Sequence, residues 1–508
     1  MKTYELMDHQ KKALEIANEK SRYGFFFDTG TGKTLIGLEL IKQKQCKTLI
    51  ICPLSIIKGA WLGDIQKFMP DMLKYTQNIW ALKQNIKLKG GEEQYKYWMN
   101  NCRVGIINFE SFRLMKDELK RCNFQMLLID ESSKIKNIKA GITKKVIEYC
   151  DQSPRYIYIF SGTPASNTAA DYFCQIRALS KNVFGWSYYA FRNKYFTATT
   201  KIYNPRDLNR LIMAGIAVSY DEIIGILDEK TIAINYTKVR HGNDFYFIKN
   251  GAATVEGYNE YTLSNYMRPV FLEKLKSISM CVKKEDVLDL PERTFNIRYV
   301  QLSSDELRLY KQMKKDLVIK MKNVTYAAKN HISKIMKLRE ITSGILINEG
   351  NSEVIGNSKT REIESLLDDI GYNQVLIWGQ FKREIDEIER YLREKHFDIR
   401  KIYGDTKQSE REEIIEWFKS GELQYVVAHP STLGLGHTFI NCSYMIYNSL
   451  SYSYDEYYQS MDRIYRKGQV NKCSYYYLLV ENTVDEIIYD VLHRKGNMND
   501  EILNYLKK

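Results

Sequence analysis

Two α/β lobes in tandem, each a parallel sheet covered by helices, is the fold class this sequence predicts, and three observations predict it. Short β-branched and apolar runs alternate with helical stretches over roughly the first 225 residues, and again from about residue 356 to the end. The first of these runs, Phe25-Phe26-Phe27-Asp28, breaks into a glycine-rich turn ending in Gly32-Lys33-Thr34. More than four hundred residues later, Arg463 and Arg466 stand three apart among polar residues.

At 508 residues the chain exceeds one ordinary core, so several domains are expected. The division read from the pattern is an N-terminal nucleotide-binding lobe over 1–225, an insertion over 226–355, and a C-terminal lobe over 356–508. A content of 44% hydrophobic and 27% charged residues excludes a disordered chain. No long uncharged apolar run appears, and Met1-Lys2-Thr3-Tyr4-Glu5 lacks a signal-peptide core, so a soluble intracellular, cytoplasmic protein is expected. The nine cysteines are scattered without a Cys-x-x-Cys pair, the pattern of reduced, buried thiols. A formal charge of +13 suits a polyanionic partner but does not identify one.

In the first block, strands are predicted at Gly24–Asp28, Thr48–Cys52, Val104–Asn108, Met126–Asp130 and Tyr156–Ser161. They are short, apolar on both faces and followed by turn residues, as buried parallel strands are. In the insertion, Thr231–Phe247 reads as a hairpin or small antiparallel sheet. Ser303–Leu346 reads as strongly helical, with Ser303-Ser304-Asp305-Glu306 as its start signal. Lysines 311, 314, 315, 320, 322, 329, 334 and 337 run along it, either as a solvated face or as a basic protrusion beside a nucleic-acid backbone. In the last block, strands are predicted at Gln374–Trp378, Arg400–Tyr403, Tyr425–Ala428, Tyr444–Tyr447 and Ser474–Val480. A helix with a capping box at Ser409-Glu410-Arg411-Glu412 should end near Gly421.

The chemistry starts at Gly30-Thr31-Gly32-Lys33-Thr34, which follows a strand and opens the apolar-periodic helix Leu35-Ile36-Gly37-Leu38-Glu39-Leu40. Glycines let the main chain approach phosphates, and the N–H groups at a helix start point at them. Lys33 would reach the β- and γ-phosphates, and the Thr34 hydroxyl would ligate magnesium. Met126-Leu127-Leu128-Ile129 is a buried strand ending in Asp130 and Glu131. Asp130 suits the metal and Glu131 suits polarising the attacking water. Arg463 and Arg466 would share one helix face and supply positive charge to the transition state.

Together these residues resemble the Swi/Snf-type ATPases of helicase superfamily 2, including the small versions carried by bacteriophages. Leu6-Met7-Asp8-His9-Gln10 resembles the adenine-reading segment, with Gln10 in that role. Pro53-Leu54-Ser55-Ile56-Ile57 with Trp61 is similar to the motif lining the nucleic-acid track, and Ile107-Asn108-Phe109-Glu110-Ser111-Phe112 to the segment after it. Asp130-Glu131-Ser132-Ser133-Lys134-Ile135-Lys136-Asn137 resembles the acidic box, and Ser161-Gly162-Thr163-Pro164-Ala165-Ser166-Asn167 the element that couples nucleotide to track. Leu290-Pro291-Glu292-Arg293-Thr294 resembles the entry to the helical insertion. Ala428-His429-Pro430-Ser431-Thr432-Leu433-Gly434-Leu435-Gly436 resembles the second-lobe glycine motif, and Gln459–Gln469 the final motif with both fingers. Ser133 replaces a histidine of the family pattern, Thr438 an asparagine, and Tyr465 the histidine between the arginines.

The resemblance implies two RecA-like lobes with helical insertions between them, closing on ATP and Mg2+. Catalysis would rest on Lys33, Asp130, Glu131, Arg463 and Arg466. The nucleotide would be held by Gln10, Thr29, Gly30, Thr31, Gly32, Lys33, Thr34, Gly434 and Gln459, and the metal by Thr34 and Asp130. Nucleic-acid contacts would fall to Pro53, Leu54, Ser55, Ser111, Thr163 and Thr432. The implied activity is ATP-driven translocation along double-stranded DNA by a monomer that grips phosphates without reading sequence. The rival expectations are a strand-separating helicase of phage replication or recombination, and an ATP-regulated clamp on a protein–nucleic-acid complex.

Overall fold

The structure, a computed structural model, describes residues 4–84, 91–152, 154–202, 212, 217–219, 223, 236–241, 244–249, 257–316, 318–321, 324–327, 331–348, 351–433 and 437–507. Two parallel sheets organise them. The first runs, in spatial order, Ser279–Val282, Arg22–Phe27, Tyr156–Phe160, Met126–Asp130, Thr48–Cys52, Val104–Asn108 and Thr76–Asn78. The second runs Arg293–Tyr299, Cys473–Leu479, Tyr444–Tyr447, Val375–Trp378, Tyr425–Ala428 and Ile399–Ile402. Every neighbouring pair in both sheets is parallel.

The sequence dictates this arrangement locally. Thr48–Cys52, Val104–Asn108 and Met126–Asp130 are buried at every position, as strands covered on both faces by helices must be. These strands match the predicted ones to the residue, as do Tyr425–Ala428 and Tyr444–Tyr447, and the other predicted strands shift by a residue or two at their ends. The helix Lys33–Lys44 packs Ile36, Leu38, Leu40 and Ile41 against one face of the first sheet. The expected α/β fold of two parallel-sheet lobes is therefore the observed one.

Two local expectations differ. The helix near Gly404 spans Gln408–Ser420 with Lys407 as its N-cap, so Ser409 already lies inside it and the expected capping box does not form. Gly421 ends that helix at φ 85°, as predicted. Ser303–Leu346 is not one helical stretch: helices Ser304–Asp316 and His331–Thr342 flank a hairpin of Val318–Met321 with Val324–Ala327. The β-branched residues Val318, Ile319, Val324 and Thr325 favour strand there, and Ile319 is buried. Of its lysines, Lys337 is tied to Glu340 and Lys334 donates to the Lys314 carbonyl at 2.6 Å; Lys322 and Lys329 lie outside the described residues. In Thr231–Phe247, the described residues form the expected hairpin, Tyr236–His241 with Asp244–Lys249, inside a five-stranded sheet.

The lobes are joined by more than their linker. Ser279–Val282, assigned to the insertion by the sequence pattern, is an edge strand of the first sheet, and Arg293–Tyr299 is an edge strand of the second. Residues 283–292 therefore cross directly from one lobe to the other. The last helix, Val484–Lys507, is 24 residues long, which is about 36 Å. Its first half buries Val484, Ile488 and Leu492 in the second lobe's core. Its last turns bury Ile502, Leu503 and Leu506 in the first lobe's core beside Phe271 and Cys281. Ion pairs Lys283–Asp500 at 2.7 Å, Lys507–Asp286 at 2.5 Å and Arg268–Glu501 fasten the same end. No helix among the described residues is long and apolar enough to cross a membrane.

If this helix staples the lobes, Leu503→Ala should lower unfolding stability by about 2–5 kcal/mol. The exposed Ile487→Ala on the same helix should change it by less than about 0.5 kcal/mol. Urea denaturation of the two variants measures the contrast; equal midpoints would contradict the packing.

Candidate nucleotide site between the lobes

The strand Arg22–Phe27 delivers the chain into the phosphate loop at the carboxyl edge of the first sheet, where ligands of such sheets sit. Gly32 caps the helix Lys33–Lys44 with φ 84°, a conformation in which glycine has no Cβ penalty. A side chain there would also strike the Gln10 amide. Thr31 Oγ1 donates to the Asp28 carbonyl at 2.7 Å, closing the turn. The Lys33 ammonium donates to the carbonyl of Phe27 at 2.9 Å, so it lies folded back over the loop. Gly162 presses on the same loop: a Cβ on it would sit 3.5 Å from the Phe27 carbonyl and the Thr29 nitrogen and 3.6 Å from the Lys33 ammonium.

Gln10 and its neighbour His9 reach the loop from the first helix. Gln10 Nε2 donates to the Thr31 carbonyl at 3.1 Å, and His9 Nε2 lies 2.9 Å from the same oxygen. His9 is a contact that the sequence reading did not single out.

Asp130 ends the central strand of the first sheet and is buried. Its Oδ2 accepts from the indole N–H of Trp61 at 3.0 Å and its Oδ1 from the Glu131 main-chain N–H at 3.0 Å. Trp61 is fully buried in this role, which corrects the expectation that it lines the nucleic-acid track. Glu131 adopts φ 55°, a left-handed backbone rare outside glycine and asparagine. Burial pushes both carboxyls up, Glu131 to about 6, against the pull of the Lys33 ammonium.

From the second lobe, the helix Tyr454–Met461 points its end at this loop. The helix stops at Met461, so Arg463 and Arg466 lie in the turn after it and not on a shared helix face. Their spacing still pairs them. Arg463 Nε donates to the Gln459 carbonyl and Arg466 Nε to the Asp462 carbonyl, each at 2.9 Å. Arg463 also donates to the His437 carbonyl at 2.8 Å, and Arg466 to Thr438 Oγ1 at 3.0 Å. Burial pushes both guanidinium groups down, Arg463 to about 9, while the fields of Asp462 and Glu131 hold them up. The lobes are thus close enough for the acidic box of one to act on the arginines of the other.

Direct contacts close the gap. Thr29 Oγ1 donates to Asp462, and Asp462 forms a buried ion pair with Lys284 of the linker. Asp28 accepts from Tyr458 Oη at 2.9 Å and from the Lys284 N–H at 3.1 Å, and burial pushes its carboxyl up to about 6. Thr163 Oγ1 and Lys136 Nζ both reach Asp455, at 2.5 Å and 2.7 Å. Asp28, Lys284, Asp455, Tyr458 and Asp462 were not picked out from sequence. Only their placement beside recognised motifs could have flagged them.

A cleft of about 790 Å³ lies between the lobes on the other side of the acidic box. Pro53, Leu54 and Ser55 line it as expected, with Lys58, Lys134 and Arg411 as its basic groups. Ser111 is buried and Thr163 faces Asp455, so neither expected nucleic-acid contact lines this cleft. Thr432 is outside its lining as well, and Gly434 lies outside the described residues.

Residues 9–345 match the SNF2-related domain family, and residues 358–468 match the helicase conserved C-terminal domain. The nuclear protein STH1/NPS1 of Saccharomyces cerevisiae is 22% identical over 94% of this chain and 33% of its own length. The human DNA annealing helicase and endonuclease ZRANB3 is 20% identical over 99% of this chain and 41% of its own. The putative ATP-dependent helicase/translocase YwqA of Bacillus subtilis is 22% identical over 94% and 46%. The chain thus spans between a third and about half the length of these relatives. A solved SWI2/SNF2 ATPase core of Sulfolobus solfataricus in complex with dsDNA is 20% identical, covering 99% of this chain and 93% of that one with a TM-score of 0.40. With the first match alone covering residues 9–345 of 508, this protein belongs to the SNF2-related family.

Proposed function

We propose that the protein is an ATPase that moves along duplex DNA, hydrolysing ATP between its two lobes. The observation that carries this reading is the meeting of the two halves at one point. The phosphate loop touches the finger turn through Thr29 and Asp462, and Glu131 acts on both arginines. ATP is the nucleotide its family uses.

In this reading Thr29, Gly30, Thr31 and Gly32 wrap the phosphates with main-chain N–H groups. Lys33 leaves the Phe27 carbonyl for the β- and γ-phosphates. Gln10 orders the loop through Thr31 while facing the adenine, with Gln459 and Gly434 contributing from the second lobe. Magnesium suits the hard oxygen donors present, the Asp130 carboxylate and the Thr34 hydroxyl, which has no hydrogen-bond partner among the described residues. Bound there, the ion would neutralise phosphate charge. Glu131 orients and polarises the attacking water, and its raised pKa keeps a basic carboxylate where a base is needed. Arg463 and Arg466 answer the charge that spreads over the γ-phosphoryl oxygens.

The cleft lined by Pro53, Leu54, Ser55, Lys58, Lys134 and Arg411 takes the DNA backbone. Helicase and translocase relatives that name DNA or ATP-driven movement support this partner. Contact with phosphates through a few cations makes binding sequence-independent and salt-sensitive. The coupling element bears on both lobes, since Gly162 presses on the phosphate loop and Thr163 on Asp455 of the second lobe.

The deciding experiment compares ATP turnover with no nucleic acid, duplex DNA, single-stranded DNA and RNA at fixed salt, beside triplex-displacement and forked-duplex assays. Duplex should stimulate most, and the third strand should be displaced without unwinding of the fork. Unwinding would favour the helicase reading, and turnover indifferent to DNA the clamp reading. Glu131→Gln should abolish both turnover and displacement.

Arg466→Ala should leave nucleotide affinity near normal and reduce turnover on the order of 10³-fold, as other arginine fingers do. A collapse of ATP affinity in that variant would make Arg466 a structural residue.

The Glu131 carboxylate must be ionised to act, and its pKa of about 6 is that of the nucleotide-free protein. The kcat/KM for ATP reports groups of the free enzyme, so it should fall as pH drops through about 6. A profile flat from pH 7.5 down to about pH 5 would remove Glu131 from this role.

A further inference from the structure

Lys284 stands in the crossing between the lobes, just after the strand Ser279–Val282, and its side chain is fully buried. A buried ammonium is strongly unfavourable unless it is paired. Its partner is the Asp462 carboxylate, itself only 1% exposed. The ammonium also faces the rings of Tyr465 at 4.8 Å and Tyr458 at 5.4 Å, contacts that favour a cation.

The same residue reaches in the other direction through its main chain. The Lys284 N–H donates to Asp28 Oδ2 at 3.1 Å, and the Asp28 N–H donates to the Val282 carbonyl at 3.0 Å. Asp28 immediately precedes the phosphate loop, while Asp462 immediately precedes Arg463. The second oxygen of Asp462 accepts from Thr29, and its carbonyl accepts from Arg466 Nε. One residue therefore holds the phosphate loop with its backbone and the finger turn with its side chain.

We propose that Lys284 is a positioning residue for hydrolysis: by holding Asp462, whose carbonyl accepts from Arg466 Nε, it fixes the Arg466 guanidinium over the phosphate loop without touching the nucleotide. This rests on the reading of Arg466 as a finger. A pair that served only stability could be exchanged for apolar side chains of similar volume at little loss. Here every partner of the pair belongs to the phosphate loop or to the segment carrying the arginines, so its loss should be felt in their register. A misplacement of about 1 Å in such a site lowers turnover on the order of 10²-fold.

The test is a double-mutant cycle in the full chain with saturating duplex DNA, reading kcat, KM for ATP and thermal midpoint. Lys284→Met should lower kcat by about 10- to 100-fold with KM changed less than about 3-fold. In an Arg466→Ala background, Lys284→Met should lower kcat by less than about 3-fold, because the group it positions is gone. Losses that multiply in the two backgrounds would overturn the proposal. Should Lys284→Met fail to show a cooperative thermal transition, Asp462→Asn, which keeps the side chain's shape, takes its place in the same cycle with the same two outcomes. If Arg466→Ala alone leaves turnover unchanged, the finger reading fails and the positioning role falls with it. If Arg466→Ala is slow and the cycle is additive, only the positioning role fails.

Discussion

The buried carboxylate of Asp462 is the constraint on which the arrangement of the lobes depends. A carboxylate removed from water must find donors, and those within reach belong to different parts of the chain: Thr29 of the phosphate loop and Lys284 of the crossing. Satisfying it brings the end of the helix Tyr454–Met461 onto the loop, and the two arginines follow because they occupy the next turn. The expected shared helix face is lost for the same reason. Asp462 caps that helix and is committed across the lobe boundary, so the chain turns there.

Around that point the two lobes are tied at two further places of different character. The crossing at 283–292 is bounded by edge strands of both sheets, and the last helix is buried in both cores. Neither can lengthen, because strand register and core packing are discrete. The contacts of Asp455 with Thr163 and Lys136 are different, being polar and partly exposed to solvent. These polar, part-exposed contacts are the weaker ties across the lobe boundary.

Much of this was legible in the sequence, and the parts that were not share a cause. Buried parallel strands announce themselves by unbroken apolar runs, so Met126–Asp130 and Thr48–Cys52 could be placed to the residue. The glycine turn, acidic pair and two arginines could be singled out because such chemistry sets residue types at fixed spacing, and the structure brings them together. Ser279–Val282 escaped because four residues carry little periodic signal and its partner strand lies more than 250 residues away. The hairpin between Ser304–Asp316 and His331–Thr342 was hidden by flanking lysine-rich segments whose helical propensity dominated the window. Lys284 and Asp462 were not singled out, since local sequence does not encode burial between distant segments. The same limit misplaced Trp61 and Thr163, which sit in recognised motifs but turn their side chains to Asp130 and Asp455.

Two of the three departures from the family pattern make contacts in this network. Thr438, in place of the usual asparagine, offers its hydroxyl to Arg466 and so helps to aim the guanidinium. Tyr465, in place of the histidine between the arginines, lays its ring against Lys284 and against the Arg293 guanidinium at 4.3 Å. A histidine there could become cationic beside two cations already present, whereas a phenol ring accepts both by its face and stays neutral. Burial raises the Tyr465 phenol further, which keeps it uncharged. The exchange thus belongs with the buried Lys284–Asp462 pair, since the Tyr465 ring packs its face against that ammonium.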